Sequence, residues 1–163
     1  MDALDILKQQ HLEAHAAFED IKTAPADGRG TVWADLQPKL ALHEQIEERF
    51  VYDPVAHDAG SRDPVLARWE QEHENQVSDA DALIAEIDAL DPGDARWLER
   101  VGALASALDE HIAHEENDIW PRIRAAWSED KLVHAGRQMA EAKASVDRGI
   151  PIEEAVDVGE AAR

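Results

Sequence analysis

The stretch HIAHEENDIWP, residues 111–121, decides how this chain folds. An apolar series leads into it at steps of three and four residues, which share one face of a helix. The series consists of Trp97, Val101, Leu104 and Leu108. Its next two positions are His111 and Glu115, where the pattern calls for core leucines. Because an unpartnered buried carboxylate is energetically costly, we expect a cation to compensate Glu115.

The same arrangement occurs a second time, earlier in the chain. Residues 43–54 align with residues 111–121 without a gap up to the proline. The aligned pairs are His43 with His111, Glu47 with Glu115, Glu48 with Glu116, Val51 with Ile119, and Tyr52 with Trp120. Pro54 lies one residue later than Pro121 in this alignment, so that Asp53 is an extra residue. We interpret the repeating unit as a helical hairpin that is used twice.

Apolar periodicity predicts an all-α chain throughout. The predicted helices cover residues 2–23, 31–54, 64–89, 94–126 and 128–147, with a loop over residues 57–64. The fold class is therefore an antiparallel up-down four-helix bundle with a short fifth C-terminal helix. We assign residues 1–147 to one domain and residues 148–163, which are small and acidic, to a flexible tail.

Each of the four main helices carries one histidine in its apolar series: His11, His43, His73 and His111. Helices rise about 1.5 Å per residue, so the distance of each histidine from its loop can be counted. These distances agree to within about one helical turn for successive helices. In an antiparallel bundle, the four imidazoles are therefore expected at one level.

Composition excludes several classes of function. The 163 residues carry a net charge of −20, which disfavours nucleic acid and anionic membranes as partners. There is no cysteine, so disulfides, thiolate zinc sites and cysteine-ligated clusters are excluded. No apolar run approaches the length of a membrane span, and the acidic N-terminus does not resemble a secretory signal. We expect a soluble, cytoplasmic protein, either a monomer or a weak dimer.

Four imidazoles and two carboxylates in one bundle suit a pair of closely spaced transition-metal ions. The candidate ligands are His11, His43, Glu47, His73, His111 and Glu115. The first hairpin's histidines are expected to bind one ion and the second hairpin's histidines the other, with both glutamates bridging. A mixed set with bridging carboxylates favours two irons, although these ligand types also admit zinc. Six ligands leave open positions, which dioxygen or peroxide chemistry requires.

Four neighbouring residues are further candidate ligands, and each of them has an alternative role. Glu44 is either a ligand or an exposed side chain, and His15 could ligate with or instead of His11 or lie at the surface. His114 aligns with Ile46 of the first copy, which favours packing or contact with a ligand. Tyr52 is expected to pack, but the extra residue before Pro54 could turn its phenol towards the ligands.

Four more polar residues near these motifs have weaker assignments. Glu48 and Glu116 are either exposed or hydrogen-bonded to ligand imidazoles. His57 and His134 lie outside the apolar series, and we expect both at the surface.

The chain resembles the hemerythrin-like, or HHE cation-binding, family over about residues 4–125. The resemblance rests on the lone His11, on HEQIE at residues 43–47, on Glu72-His73, and on HIAHEE at residues 111–116 running to Trp120-Pro121. It implies a four-helix bundle holding a non-haem, oxo-bridged diiron centre on the ligands named above.

Two positions differ from the dioxygen-carrying members of that family. They have a second histidine one turn after the third-helix ligand, where this chain has Val77. Their last carboxylate is an aspartate at wider spacing, where this chain has Glu115. The pattern is closer to single-domain bacterial relatives, for which handling of iron, dioxygen, nitric oxide or hydrogen peroxide is implied.

Two functions are therefore expected. One is a diiron protein that binds or turns over dioxygen or hydrogen peroxide, including catalase-like peroxide decomposition. The alternative is an iron- or oxygen-responsive sensing or binding module without turnover, in which the metal alters a surface such as the fifth helix and the tail.

Overall fold

The computed structural model describes all 163 residues and is built from helices alone. The helices are α1 (Ala3–Thr23), α2 (Arg29–Glu47), α3 (Asp53–Ala59), α4 (Pro64–Asp88), α5 (Ala95–His114), α6 (Trp120–Ala126), α7 (Glu129–Asp147) and α8 (Ile152–Ala161). Helix α1 packs against α2, α5 and α7, while α4 packs against α5. None of these helices combines the length and the apolar character needed to cross a membrane.

Side-chain caps fix where several helices begin. The Asp2 carboxylate accepts a hydrogen bond from the backbone N–H of Asp5 at 3.0 Å, and the Asp5 carboxylate accepts one from the backbone N–H of Asp2 at 3.2 Å, which forms a reciprocal cap on α1. Asp63, Asp94 and Ser128 cap α4, α5 and α7 by accepting a hydrogen bond from a backbone N–H of the first turn, without a reciprocal bond. These caps satisfy backbone N–H groups that have no partner within the helix. They set the register of the long helices and hence the height of the residues on them.

The two prolines of the repeat follow π-helical turns. Residues Glu48–Tyr52 form such a turn between α2 and α3, and Glu115–Ile119 form one between α5 and α6. Each turn ends two residues before its proline, whose ring and missing N–H disturb the regular helical hydrogen bonds. In the alignment of the two copies, the first turn begins at Glu48, which is equivalent to Glu116, whereas the second turn begins one residue earlier, at Glu115. This offset of one residue accounts for the extra residue Asp53. The helical segment that begins with α2 therefore continues through α3 to Ala59, so that the loop is shorter than the one expected over residues 57–64.

The apolar interior consists of two separate cores. The first core includes Leu7, Ile46, Trp69 and Ile119, and the second includes Phe18, Leu40, Ala80 and Leu104. The four main helical segments are α1, α2 with α3, α4, and α5 with α6. Along each segment, one histidine lies between a member of the first core and a member of the second. The histidines are therefore placed in a layer between the two cores.

The C-terminal segment differs from the flexible tail that we predicted. Residues Ile152–Ala161 form α8, which packs against α7 and buries Ala155, Val156 and Gly159. Glycine and alanine lack the bulk that marks a core face in a sequence, but they allow two helices to approach closely. Arg49 of the first π-helical turn also pairs with Asp157 at 3.1 Å and with Glu160. Helix α8 is therefore part of the same packed unit as residues 1–147.

We expect Gly159→Ala to weaken the docking of α8. A Cβ at residue 159 would lie 2.5 Å from the carbonyl oxygen of Gln138 and 3.0 Å from Cζ of Phe50. Such overpacking typically lowers the free energy of unfolding by about 1–3 kcal/mol, measurable by urea denaturation at equal metal content. Gly102→Ala is the matched control, because its Cβ would meet nothing within 4 Å. That change should stabilise α5 by roughly 0.5–1 kcal/mol, and equal effects of the two variants would contradict the packing described.

Candidate metal centre

The structure brings all six predicted ligands together in the layer between the cores. We call His11, His43, Glu47, His73, His111 and Glu115 the central cluster. Two groups within it have ligand atoms close enough to share an ion: one contains Glu47, His73, His111 and Glu115, and the other contains His11, His43 and Glu47. The division of the histidines is the one expected from the two hairpins. Whether these residues ligate ions remains a prediction.

Each glutamate of the cluster contacts imidazoles of both hairpins. Glu47 Oε2 lies 3.3 Å from Nε2 of His43 and 3.2 Å from Nε2 of His73. Glu115 approaches His11 at 3.3 Å through Oε2 and His111 at 2.9 Å through Oε1. The i, i+4 spacing within one helix accounts for His43 with Glu47 and for His111 with Glu115. Packing of the helices supplies the other two contacts, which place both carboxylates between the two histidine pairs.

The four imidazoles are oriented by acceptors on neighbouring helices. His11 Nδ1 lies 2.9 Å from Glu116, and His73 Nδ1 lies 2.6 Å from Glu48. Carboxylates at these positions hold each ring so that Nε2 faces the centre of the cluster. Hydrogen bonding of Glu48 and Glu116 to cluster imidazoles was one of the two alternatives from the sequence, and the structure shows it.

Amide side chains orient the other two imidazoles. His43 Nδ1 lies 2.7 Å from Oε1 of Gln10, and His111 Nδ1 contacts Oε1 of Gln76. Sequence reasoning missed both glutamines. Gln10 directly precedes His11 and Gln76 follows His73 by three residues, but nothing in the repeat marks them, because their partners lie on other helices.

Tyr52 is also turned towards the cluster. Its hydroxyl donates to Glu115 Oε1 at 2.8 Å and accepts a hydrogen bond from Trp120 Nε1 at 3.2 Å. The π-helical turn shifts the angular position of the residues that follow Glu47, which brings the phenol inwards. Tyr52 therefore does more than pack, which was the role favoured from the sequence: it contacts a candidate ligand directly.

Burial and neighbouring charges divide the two glutamates into one neutral and one charged group. Burial, together with repulsion from Glu115, raises the pKa of Glu47 to about 8. Burial acts in the same direction on Glu115, but the hydrogen bond and charge of His111 outweigh it and lower its pKa to about 2. Without a metal, the proton on Glu47 relieves the repulsion between the two carboxylates.

The pKa values of two histidines of the cluster shift in opposite directions. Burial and the nearby histidines lower the pKa of His43 to about 3. Burial also disfavours the charged form of His73, but Glu47 and Glu48 outweigh it and raise its pKa to about 10. Burial raises the pKa of Tyr52 well above its usual value, so that its hydroxyl remains a hydrogen-bond donor.

A further observation supports the binding of cations by these side chains. Glu47 Oε1 and Glu115 Oε2 are buried and have no hydrogen-bond partner. Two unpartnered carboxylate oxygens in the interior are energetically costly, and cations between them would satisfy both. Imidazole and carboxylate ligands suit iron as well as zinc.

The remaining candidates lie outside the two groups of ligand atoms. His15 is 59% exposed and lies 3.6 Å from Asp109, while His114 is 42% exposed and pairs with Asp118 at 2.9 Å. Both histidines are thus partly exposed and paired with acidic side chains. His114 also packs against Trp69, with ring centroids 5.0 Å apart, which is the packing favoured from the sequence. Glu44 is half-buried beside the cluster, where burial and Asp81 raise its pKa to about 7. His57 and His134 are exposed, as predicted.

Comparisons with known proteins agree with this site. Residues 2–123 match the family model described as the hemerythrin HHE cation binding domain. A DNA nickase from Nostoc sp. is 22% identical to the chain over 153 residues, which are 91% of this chain and 41% of the nickase. The chain thus spans less than half the length of that relative. No solved structure matches the chain significantly.

Metal uptake at pH 7 should release protons. Glu47, with a pKa of about 8, and His73, with a pKa of about 10, are both protonated at pH 7 and must lose their protons to ligate. Burial disfavours the charged form of His111, but Glu115 outweighs it and raises the pKa of His111 as well, so that this imidazole adds to the proton count. We expect release of at least about two protons per chain when metal-free protein is titrated anaerobically with ferrous ion in weak buffer containing a pH indicator. Affinity should rise with pH from 7 towards 10, because the competing protons are lost.

Two variants check the source of these protons. His73→Ala removes one proton-bearing candidate ligand, so it should take up less metal and release fewer protons than the unaltered protein. His57→Ala, at the surface, should behave as the unaltered protein. Metal binding without proton release at pH 7 would contradict the protonation states described.

We expect Tyr52→Phe to destabilise the metal-free protein. The change removes the donor to Glu115 and leaves the buried indole N–H of Trp120 unpaired, at a cost of about 1–3 kcal/mol in the free energy of unfolding. Urea denaturation measures this cost. In a Trp120→Phe background, the same change should cost less, because no indole donor remains. An equal cost in both backgrounds would show that the Tyr52–Trp120 hydrogen bond contributes nothing.

Proposed function

Because the chain belongs to the hemerythrin HHE cation-binding domain family and is therefore a metal-binding protein, we propose that the central cluster binds two iron ions. We further propose that the protein binds or turns over dioxygen or hydrogen peroxide. The observation that carries this proposal is the position of Glu47 and Glu115, each in contact with imidazoles of both hairpins. Carboxylates in that position suit two neighbouring ions that share them.

The framework of the proposed site is an antiparallel up-down four-helix bundle. In support, the C-terminal part of α1 and the N-terminal part of α2 contribute to the same core, as do the end of α4 and the start of α5. This up-down arrangement brings one histidine from each of the four helical segments to the same height in the bundle. Apolar cores lie above and below that level.

Two irons held by the central cluster would supply the capacity to accept and return two electrons. Hydrogen peroxide disproportionation needs that capacity: one peroxide is oxidised to dioxygen, and a second is reduced to two waters with the two protons and two electrons released by the first. The chain's own residues hold the cluster in a fixed geometry. Glu48 and Glu116 orient His73 and His11, and the hydroxyl of Tyr52 holds the carboxylate of Glu115.

The small ligands proposed for this site are dioxygen, hydrogen peroxide and nitric oxide. We propose no nucleic-acid or membrane partner, because a net charge of −20 repels both phosphodiester backbones and anionic lipids. The DNA-directed activity in the name of the Nostoc relative is therefore not carried over to this chain. A monomer or weak dimer remains the proposed assembly.

A sensing module without turnover is the second candidate, and one contact favours it. Glu48 binds the imidazole of His73, and the next residue, Arg49, pairs with Asp157 of α8. Two adjacent residues thus connect the cluster to the C-terminal helix. Metal-dependent protection of residues 148–163 from proteolysis, without peroxide turnover, would favour this function.

Elemental analysis and an absorption spectrum of the purified protein test the iron proposal. We expect close to two irons per chain and ultraviolet–visible bands that change when peroxide is added. An oxygen electrode should record dioxygen evolution from peroxide. Zinc as the bound metal, or iron without spectral change or dioxygen evolution, would overturn the redox function.

Variants locate the activity at the cluster. His73→Ala should lose iron and lower the rate of dioxygen evolution at least about tenfold, because loss even of a group that supports a metal ligand costs that much. His57→Ala is the matched control, since this histidine is exposed and lies outside the cluster. Equal rates for the two variants would place the activity elsewhere.

A further inference from the structure

A large cavity opens directly beside the central cluster. Its volume is about 810 Å³, and its wall is formed mainly by α1, α2, α4 and α5. His11, His43, Glu47 and His111 line the end nearest the cluster. Away from that end, the wall includes the apolar side chains of Phe18, Leu36, Leu40, Leu83, Ile84 and Leu104.

Small side chains next to the histidines account for this space. On α1, Ala14 lies between His11 and Phe18, and on α4, Val77 and Ala80 follow His73. These side chains are too short to meet across the bundle, so the two apolar cores remain separate. Four positions of the apolar series are consequently only half-buried instead of fully buried: Ala14, Val77, Ile84 and Leu108.

The cavity is far larger than dioxygen or hydrogen peroxide requires. Each of those molecules has two heavy atoms, whereas cavities of about 300–1,000 Å³ with apolar walls and a few polar groups are typical of sites for organic ligands. A solvent-accessible apolar wall of this extent gains free energy when an apolar molecule displaces water from it.

Charges at the two ends of the cavity select against ionised ligands. Carboxylates at the outer rim outnumber lysines, and both lysines are already paired: Lys39 with Asp35 at 3.0 Å and Lys143 with Asp147 at 2.8 Å. The rim therefore repels anions. The inner end carries the central cluster, and the metal ions that we propose there would repel a positively charged group when bound.

We propose that this cavity binds an uncharged, predominantly apolar organic molecule, such as an alkyl chain or an aromatic ring, with one end at the central cluster. The proposal goes beyond the handling of dioxygen or peroxide. The exclusion of cationic ligands rests on the proposed metal ions, whereas binding in the apolar cavity does not require peroxide turnover, so that loss of turnover and loss of ligand binding are distinguishable outcomes.

The first test uses the neutral fluorescent probe N-phenyl-1-naphthylamine with the metal-loaded, full-length protein. We expect saturable binding of one probe per chain, with emission shifted to the blue. Ala14→Phe on α1 and Val77→Phe on α4 each fill the cavity and should weaken probe affinity at least about tenfold. Ala16→Phe is the matched control, because Ala16 is exposed on α1 and does not line the cavity.

Circular dichroism and metal content establish that each variant is folded and loaded. Because the two cavity variants lie on different helices, either one decides the test if the other fails to fold. Absence of saturable binding in the unaltered protein, or wild-type affinity in a folded and loaded cavity variant, would overturn the proposal.

A second test addresses the charge of the ligand. The probe is displaced with 1-octanol, octanoate or octylammonium, which share one chain length and differ in charge. We expect 1-octanol to displace the probe at concentrations at least about tenfold lower than either ion. Displacement by octanoate or octylammonium at the concentration effective for 1-octanol would overturn the assignment of an uncharged ligand.

Discussion

The burial of two carboxylates within contact distance of four imidazoles is the constraint on which the rest of the structure depends. Glu47 and Glu115 are almost completely enclosed, and each has an oxygen without a hydrogen-bond partner. An interior of this kind is unfavourable unless positive charge is supplied between the glutamates. The separate apolar cores, the capped helices and the oriented imidazoles all serve to hold that charge in one place.

The layer of histidines and glutamates was predictable from the sequence because buried polar residues interrupt an otherwise apolar series. His43 with Glu47 and His111 with Glu115 occupy helix positions that call for leucine, and counting along the helices gives their common level. The repeat also predicts how the histidines divide into pairs. Local spacing thus carries most of the information about which residues meet.

Features that depend on contacts between helices could not be predicted in the same way. The inward turn of Tyr52 follows from a π-helical turn whose position is visible in the sequence only as one extra residue. Gln10 reaches its imidazole across a helix boundary. Residues 152, 155, 156 and 159 of α8 do follow helical spacing, but a helix of 10 residues depends on its packing against α7, which the sequence does not show. Periodicity also shows which face of a helix points inwards, but not whether facing side chains meet, so the cavity was not expected.

The Nδ1 partners of the four imidazoles have a consequence for the balance of the two halves of the site. Each pair of histidines contains one ring backed by a carboxylate and one backed by an amide: Glu116 and Gln10 for the first pair, Glu48 and Gln76 for the second. A carboxylate behind an imidazole makes it a stronger electron donor than an amide does. The two halves therefore offer matched donor strength through their imidazoles, so that two metal ions bound there would meet equally basic imidazole pairs.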